Sequence, residues 1–366
     1  MKDYRIFVIN PGSTSTKLAL YENEECRLEE CVFHDSSVLL EMESINDQLD
    51  YRMDVIYRFI EEKNIELEGI DAIVARGGGC YPLESGVYEI DEKLIDDTKS
   101  MVTGLYHASM LGVQIAERLH EKYGGIMLTV DPPVVDEYQD VARITGVKGI
   151  YRQSRFHALN LKETCRQHAQ LAGKKYEDMD FIACHIDGGI TITAHRKGKV
   201  IDGNDGSGGE GPFTPTRMGT MAVTDVYNYL WDKPKEEIRN LMCESGGLSS
   251  YFGTSDADVI HKMVEAGDKK AQLVWRAMIY QISKYIGSMA VVLQGKVDNI
   301  ILTGRLVRFP DLVEQIRQGC EWIAPVVVYQ GELEHDALAM GALRVLRGEI
   351  KPLKYPGKQD KYDIDL

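Results

Sequence analysis

Eight consecutive residues near the N-terminus, Asn10-Pro11-Gly12-Ser13-Thr14-Ser15-Thr16-Lys17, put an amide, a run of hydroxyls and an ammonium on or beside one turn. Turn N–H groups and hydroxyls hydrogen-bond phosphate oxygens, and a lysine adds a point charge. The same composition also suits an ordinary polar hairpin turn. It is not a Walker A loop, because G-x-x-x-x-G-K-[ST] is absent. Arg76 precedes Gly77-Gly78-Gly79, where a guanidinium could fork onto a carboxylate or phosphate while glycines let a ligand approach the backbone. A surface arginine beside a flexible turn would read the same way. Asp131 ends the apolar run Ile126–Val130, and α/β proteins place functional groups at such strand ends. Its carboxylate could orient a nucleophilic carboxylate or a metal ion. His107, His157 and Arg217 suit capping, packing or loop roles as well as a site.

Any anionic substrate must be met by these local cations. The 366 residues carry a net charge of −15, which argues against a nucleic-acid surface. The seven cysteines are scattered without a C-x-x-C pair, so neither a disulfide framework nor a zinc site is indicated. No uncharged apolar run reaches about 18 residues, and the N-terminal MKDYRIF lacks a signal peptide's apolar stretch. A cytoplasmic enzyme is the expectation. The length exceeds what one hydrophobic core usually serves, so two domains are expected.

The elements that must position these residues show a repeat. Residues 4–21 and 180–195 each run an apolar strand into a small-residue turn and back into alternating apolar and hydroxyl positions. Two such turns could grip a polyphosphate from both sides. Val55, Ile56, Phe59 and Ile60 predict a helix over 51–64, and residues 70–75 a strand. A helix over 107–123 stops at Gly124-Gly125 and leads into a strand over Ile126–Val130. In the second half, residues 269–293 are apolar around most of the helix surface and predict a buried element. Strands follow at 298–303 and 324–329, then a helix at 333–346 capped by Gly348 and a polar tail at 349–366. The Gly-rich stretch from Gly203 that leads to Arg217 has the composition of a lid. Alternating strands and helices in both halves favour α/β lobes with mixed sheets and a cleft between them.

Taken together, NPGSTSTKLALYENE, ARGGGCYP with SGVYEID, HASMLG, VDPPVVDEYQDVARITG, FHALN, AHRKGKVID, GEGPFTPTR, GTSDA, KVDNIILTG and ALAMGALRVLRGE resemble the butyrate kinases. These lie in the acetate kinase branch of the acetate and sugar kinase, heat-shock chaperone and actin superfamily. The resemblance implies an actin-like ATPase fold of two ribonuclease-H-like lobes, with residues 1–155 completed by the C-terminal segment 333–366 and residues 156–332 as the nucleotide-side lobe. It also implies Mg²⁺-assisted transfer of the γ-phosphoryl of ATP to a short-chain carboxylate by a homodimer or larger homo-oligomer. Asn10, Ser13, Ser15 and Lys17 fall on the first phosphate loop. Arg76, His107, Asp131, His157 and Arg217 fall on the catalytic positions, with Asn10 and Asp131 toward the metal. His185, Asp187, Gly188, Gly189, Asp256, Gly304 and Arg305 fall on the nucleotide side.

The chain departs from the family pattern mainly on that side. Asp187 and Arg305 replace glycines, and Asp258 stands where an arginine is usual. New acids at 187 and 258 thus accompany new bases at 305 and 308, and we expect Arg305 or Arg308 to pair with Asp187 or Asp258 and to narrow the adenosine pocket. Two further readings stay open: a paralogue that binds or senses an acyl phosphate, and a kinase for another short or branched acid or another phosphoryl donor.

Overall fold

The structure, a computed structural model, describes residues 2–103 and 108–362. The chain divides into two units, residues 1–136 with 333–366, and residues 137–332.

The first unit contains β1 (Arg5–Pro11), β2 (Ser15–Glu22), β3 (Glu25–Phe33), β4 (Ala72–Ala75), β5 (Val87–Glu89) and β6 (Ile126–Val130) in the order β3-β2-β1-β4-β6-β5. β1, β2 and β3 are antiparallel; β1, β4 and β6 run parallel; β5 returns antiparallel to β6. The second unit contains β7 (Asp180–Ile186), β8 (Ile190–Arg196), β9 (Lys199–Gly203), β10 (Asn299–Gly304) and β11 (Val326–Gln330) in the order β11-β10-β7-β8-β9. Here too an antiparallel meander is followed by parallel neighbours. The repeated hairpin of the sequence is therefore a repeat of topology.

Every residue from Ile6 to Ile9 and from Ala72 to Ala75 is fully buried, as are Phe181 to Cys184. Continuous burial rather than alternation means that both sheet faces are covered. Helices Leu111–Tyr123 and Glu334–Leu346 pack on the first sheet, and Ala158–Leu171 and Lys269–Val292 on the second. Two of these contacts require glycine. A Cβ at Gly112 would collide with the Arg76 carbonyl oxygen, and one at Gly341 would lie 2.6 Å from Val130 Cγ2.

Several expectations change in detail. The helix predicted over 51–64 spans Gln48–Glu62, because Ser44 and Asp47 bond reciprocally ahead of it (Ser44 N to Asp47 Oδ2 2.8 Å, Asp47 N to Ser44 Oγ 3.3 Å). The long second-unit helix is buried on one face only, with Leu273, Tyr280 and Val291 exposed. The tail is not loose. Leu353 exchanges backbone hydrogen bonds with β5, and the Tyr355 hydroxyl donates to Asp97 at 2.8 Å. The Gly-rich segment is fastened as well: buried Asn204 accepts from Ile192 N at 2.7 Å and donates to Ile190 O at 3.0 Å. Residues 137–155, assigned from sequence to the first lobe, fall in the second unit, where Glu137 meets Lys162 at 2.6 Å and Arg152 meets Asp202 at 2.9 Å. Among the described residues no helix is long and apolar enough to cross a membrane.

Gly112→Ala is expected to lower stability by ~1–3 kcal/mol in denaturant unfolding. Gly287→Ala, in the helix Lys269–Val292 with nothing within 4 Å of the added Cβ, is expected to raise it by up to ~1 kcal/mol.

Candidate active site

In the first unit the candidate residues gather where three neighbouring parallel strands end. Asn10 lies near the end of β1, Arg76 follows β4, and Asp131 follows β6. Strand ends of a parallel sheet share one edge, which is where such sheets bind ligands. Arg76 N donates to Ile9 O at 2.9 Å, holding the residue at that edge. Its Nη1 reaches Glu334 Oε2 at 3.0 Å and Asn10 Oδ1 at 3.4 Å, and Asn10 Nδ2 donates to the same Glu334 oxygen at 2.7 Å. Asn10, Arg76 and Glu334 are thus one polar cluster. Lys17 sits opposite Asn10 in the β1–β2 register.

Asp131 is fully buried and has φ of 39°, a left-handed backbone that is uncommon outside glycine and points to a constrained position. Its carboxylate accepts from the Ser85 hydroxyl and from Gly86 N at 2.9 Å. His107 lies outside the described residues.

Ser13 and Ser15 occupy the turn from β1 to β2, which is held from behind. Gly12 N donates to Ser15 O at 2.7 Å, and His34 N to Thr14 O at 2.9 Å. The fully buried Arg52 donates to Gly12 O at 3.0 Å and to Ser13 O at 2.7 Å. Among the described residues the N–H groups of Ser13 and Thr14 have no protein acceptor, and both residues are exposed. The turn therefore offers N–H donors outward.

The second unit repeats the arrangement at the ends of β7, β10 and β11. Asp187, Gly304-Arg305 and Glu332 stand at or just beyond them. Asp187 Oδ2 accepts from Arg305 Nε at 2.7 Å and its Oδ1 from Gly188 N at 2.7 Å. Burial pushes its carboxyl up, but Arg305 and the Gly188 N–H overcome that and hold it below the ordinary carboxylate range. The Arg305 side chain stays 72% exposed while that of Asp187 is 10% exposed. Arg308 meets Asp258 at 2.8 Å. Of the pairings that the sequence left open between Arg305 or Arg308 and Asp187 or Asp258, the structure shows 187 with 305 and 258 with 308. Gly304 has φ of 100°, and a Cβ there would strike the Ile186 backbone.

Nearby, the His157 ring stacks on His185 at 3.8 Å and 16°. His157 Nδ1 meets Thr191 Oγ1 at 3.0 Å. Asn160 Nδ2 lies 2.9 Å from His185 Nδ1, and His185 Nε2 is 3.6 Å from Glu332 Oε1. Arg217 lies against Gly189 and donates to Gly206 O. It is half-buried, and that desolvation lowers its pKa against the pull of nearby Asp205, yet no carboxylate bridges it among the described residues. Gly188 O accepts from Thr214 Oγ1 at 2.7 Å and Thr216 Oγ1 at 3.2 Å, tying the turn to the Arg217 segment. Asp256 stands apart: its Oδ1 caps the helix Ala257–Glu265 by accepting from Asp258 N at 2.9 Å and Val259 N at 3.2 Å.

Two residues of this geometry escaped the sequence reading. Glu334 opens the helix that follows β11, and an acid in a first helical turn has a ready structural explanation that hides other roles. Arg52 precedes Ile56 and Ile60 at helical spacing on the buried face of Gln48–Glu62, so a cation on an apolar stripe was the available signal.

Against known proteins, the Acetokinase family model matches residues 139–313. A protein of Clostridium botulinum strain Alaska E43, described as "Probable butyrate kinase", is 42% identical over 96% of this chain and 99% of its own length. The chain belongs to the acetokinase family. A second family member with the same description, from Clostridium botulinum strain Eklund 17B, matches at 42% over the same shares. The acetate kinase of Porphyromonas gingivalis superposes with a TM-score of 0.77 at 19% identity, covering 94% of this chain and all of its own. A propionate kinase of Francisella tularensis gives 0.71 at 18%, covering 92% and 98%. The fold is the actin-like ATPase fold of these acetokinases.

Asn10, Asp131 and Glu334 offer the oxygen donors that Mg²⁺ favours. In the second unit His185, Asp187 and Glu332 bring ligand atoms within 4.8 Å of one another, a mixed nitrogen and oxygen set in which Arg305 engages Asp187, as Arg76 engages Glu334 in the first.

At neutral pH Arg305→Met is expected to cost no more than ~1 kcal/mol, given the exposure of Arg305. Because Asp187 has its carboxyl pKa depressed in the fold, the pair stabilises above the unfolded carboxylate value of about 4 and is lost as pH falls further. Denaturant midpoints of native and variant protein should converge on acidification. Arg308→Met should leave the midpoint unchanged.

Proposed function

We propose that this acetokinase transfers the γ-phosphoryl group of ATP directly to a short-chain carboxylate, butanoate in the first instance, giving butanoyl phosphate and ADP. The observation that carries the reading is the Asn10–Arg76–Glu334 cluster at a parallel-strand edge in a chain 42% identical to probable butyrate kinases over nearly its whole length. Phosphoryl transfer asks for charge stabilisation and in-line positioning more than for covalent help. A carboxylate nucleophile is already ionised at neutral pH, so no strong general base is needed.

Arg76 exchanges its contact with Glu334 for the carboxylate substrate or the phosphoryl oxygens. A bidentate guanidinium suits either. The Ser13 and Thr14 N–H groups and Lys17 hold phosphate oxygens. Arg217, half-buried and without a bridging carboxylate among the described residues, supplies a positive charge in a partly desolvated setting, which strengthens its action on developing negative charge. His157 offers a hydrogen-bond donor to phosphoryl oxygens. Asn10, Asp131 and Glu334 would hold Mg²⁺, which when bound offsets the charge of the polyphosphate.

On the nucleotide side, Gly188 leaves its backbone open to a ligand, Gly189 and Gly304 admit Arg217 and the Ile186 backbone, and Arg305 offsets the carboxylate that Asp187 adds. Its Nε faces Asp187 and its exposed η-nitrogens serve the nucleotide. The neutralised Asp187 favours ATP use over the narrowed-pocket alternative. The seven free thiols, four of them buried, support a reducing cytoplasm. Exposed Leu273, Tyr280 and Val291 support a homo-oligomer.

Acyl-hydroxamate assays with butyrate, isobutyrate and acetate, each with MgATP, test the reading. Turnover with a four-carbon acid is expected; no turnover by folded protein with any acid would refute it. Arg76→Ala, Arg217→Ala and Glu334→Gln are each expected to lower kcat/KM by about 10²-fold or more, and near-native kinetics would remove the residue from the site.

A further inference from the structure

Arg52 is an unusual arginine: its side chain is fully buried and among the described residues no carboxylate pairs with it. Its partners are backbone carbonyls and neutral side chains. Nη1 donates to Gly12 O at 3.0 Å and reaches Ser15 O at 3.5 Å and Thr16 Oγ1 at 3.4 Å, while Nη2 donates to Ser13 O at 2.7 Å. Gln48 Oε1 accepts from Nε at 3.1 Å and Nη2 at 2.9 Å and so fixes the guanidinium plane. Burial lowers its pKa only to about 10, which leaves it charged at neutral pH. Beside it His34, hydrogen-bonded to Thr16 Oγ1 at 2.8 Å, is pushed down to about 4 by burial and by Arg52, and stays neutral.

A buried cation without a counter-ion is costly, and proteins normally pair it or remove it. Here its charge is met by the carbonyl ends of the turn's peptide dipoles. With the carbonyls of residues 12, 13 and 15 drawn to Arg52 and that of Thr14 held by His34 N, the Ser13 and Thr14 N–H groups remain for a ligand.

We infer that Arg52 is a positioning residue of the phosphate turn: it clamps the carbonyls of residues 12, 13 and 15 from behind, and an anion bound to the outward N–H groups supplies the counter-charge. The arginine never touches substrate. It sets the direction of the donors and adds a fixed positive potential beneath them, both of which favour phosphoryl oxygens. The inference rests on the phosphoryl-transfer reading above, and deepens it by assigning the donor-side affinity of the first unit to a residue outside the turn.

The test compares native protein, Arg52→Met and Arg52→Lys in steady-state kinetics and in calorimetry with inorganic pyrophosphate. Arg52→Met should lose at least about 30-fold in kcat/KM for MgATP while KM for butyrate stays within about twofold, and pyrophosphate binding should weaken about tenfold or more. Arg52→Lys should recover part of both losses, and so should guanidinium ion added to Arg52→Met. Purely structural damage would raise both KM values together and would not separate donor from acceptor. If Arg52→Met does not fold, Gln48→Leu keeps the cation but frees its plane, and the same donor-only loss is expected at about five- to tenfold. Native kinetics in the folding variants, or equal losses on both substrates, would overturn the proposal. Should native protein bind pyrophosphate but transfer no phosphoryl group, with binding lost in Arg52→Met, the clamp would stand and the kinase reading would fail. If native protein does neither, both fail.

Discussion

Burial of the first strand of each hairpin on both faces is the constraint from which the rest follows. Ile6 to Ile9 in β1 and Phe181 to Cys184 in β7 are fully enclosed, so these strands can carry no chemistry along their length. Polar groups emerge where the strand ends and the chain turns back. The parallel neighbours, β4 and β6 in one unit and β10 and β11 in the other, bring their own ends to the same edge. Asn10, Arg76 and Asp131 are therefore close in topology although 66 and 55 residues separate them in sequence. Tight packing maintains the edge, as the requirement for glycine at 112 beneath the Arg76 carbonyl illustrates.

The two turns are built with opposite charge. In the first turn the cation is underneath, with Arg52 drawing the carbonyls inward and leaving N–H groups free. In the second, a carboxylate sits in the turn itself, and Asp187 consumes the Gly188 N–H and Arg305 Nε. An uncompensated acid beside polyphosphate would repel it; paired with Arg305, it becomes a tether that positions a guanidinium. The departures from the family pattern are thus coupled rather than independent losses. Asp258 and Arg308 form a second, more exposed pair, which solvent screens.

Much of this was legible in the sequence because the signals were local. The hairpin repeat, the strand at Ile126–Val130 and the Gly304 break depend on short-range periodicity and on positive-φ positions. That the bases at 305 and 308 would meet the acids at 187 and 258 was legible through matched changes of charge sign, but not which base meets which acid. Glu334 was not, because its partners Asn10 and Arg76 are 324 and 258 residues away and no local pattern encodes them. The one-sided burial of Lys269–Val292 was missed because an apolar face left open to solvent reads from sequence like a face that is covered. The tail's attachment to β5 runs through Leu353 backbone groups, which composition cannot report.

Direct transfer from ATP to a carboxylate predicts the fate of label from γ-³²P-ATP. In the presence of Mg²⁺ and butyrate, native protein should place the label in butanoyl phosphate, with none retained on the protein after denaturation. Label that stays on the protein, or that never leaves ATP while the protein is folded, would contradict the account.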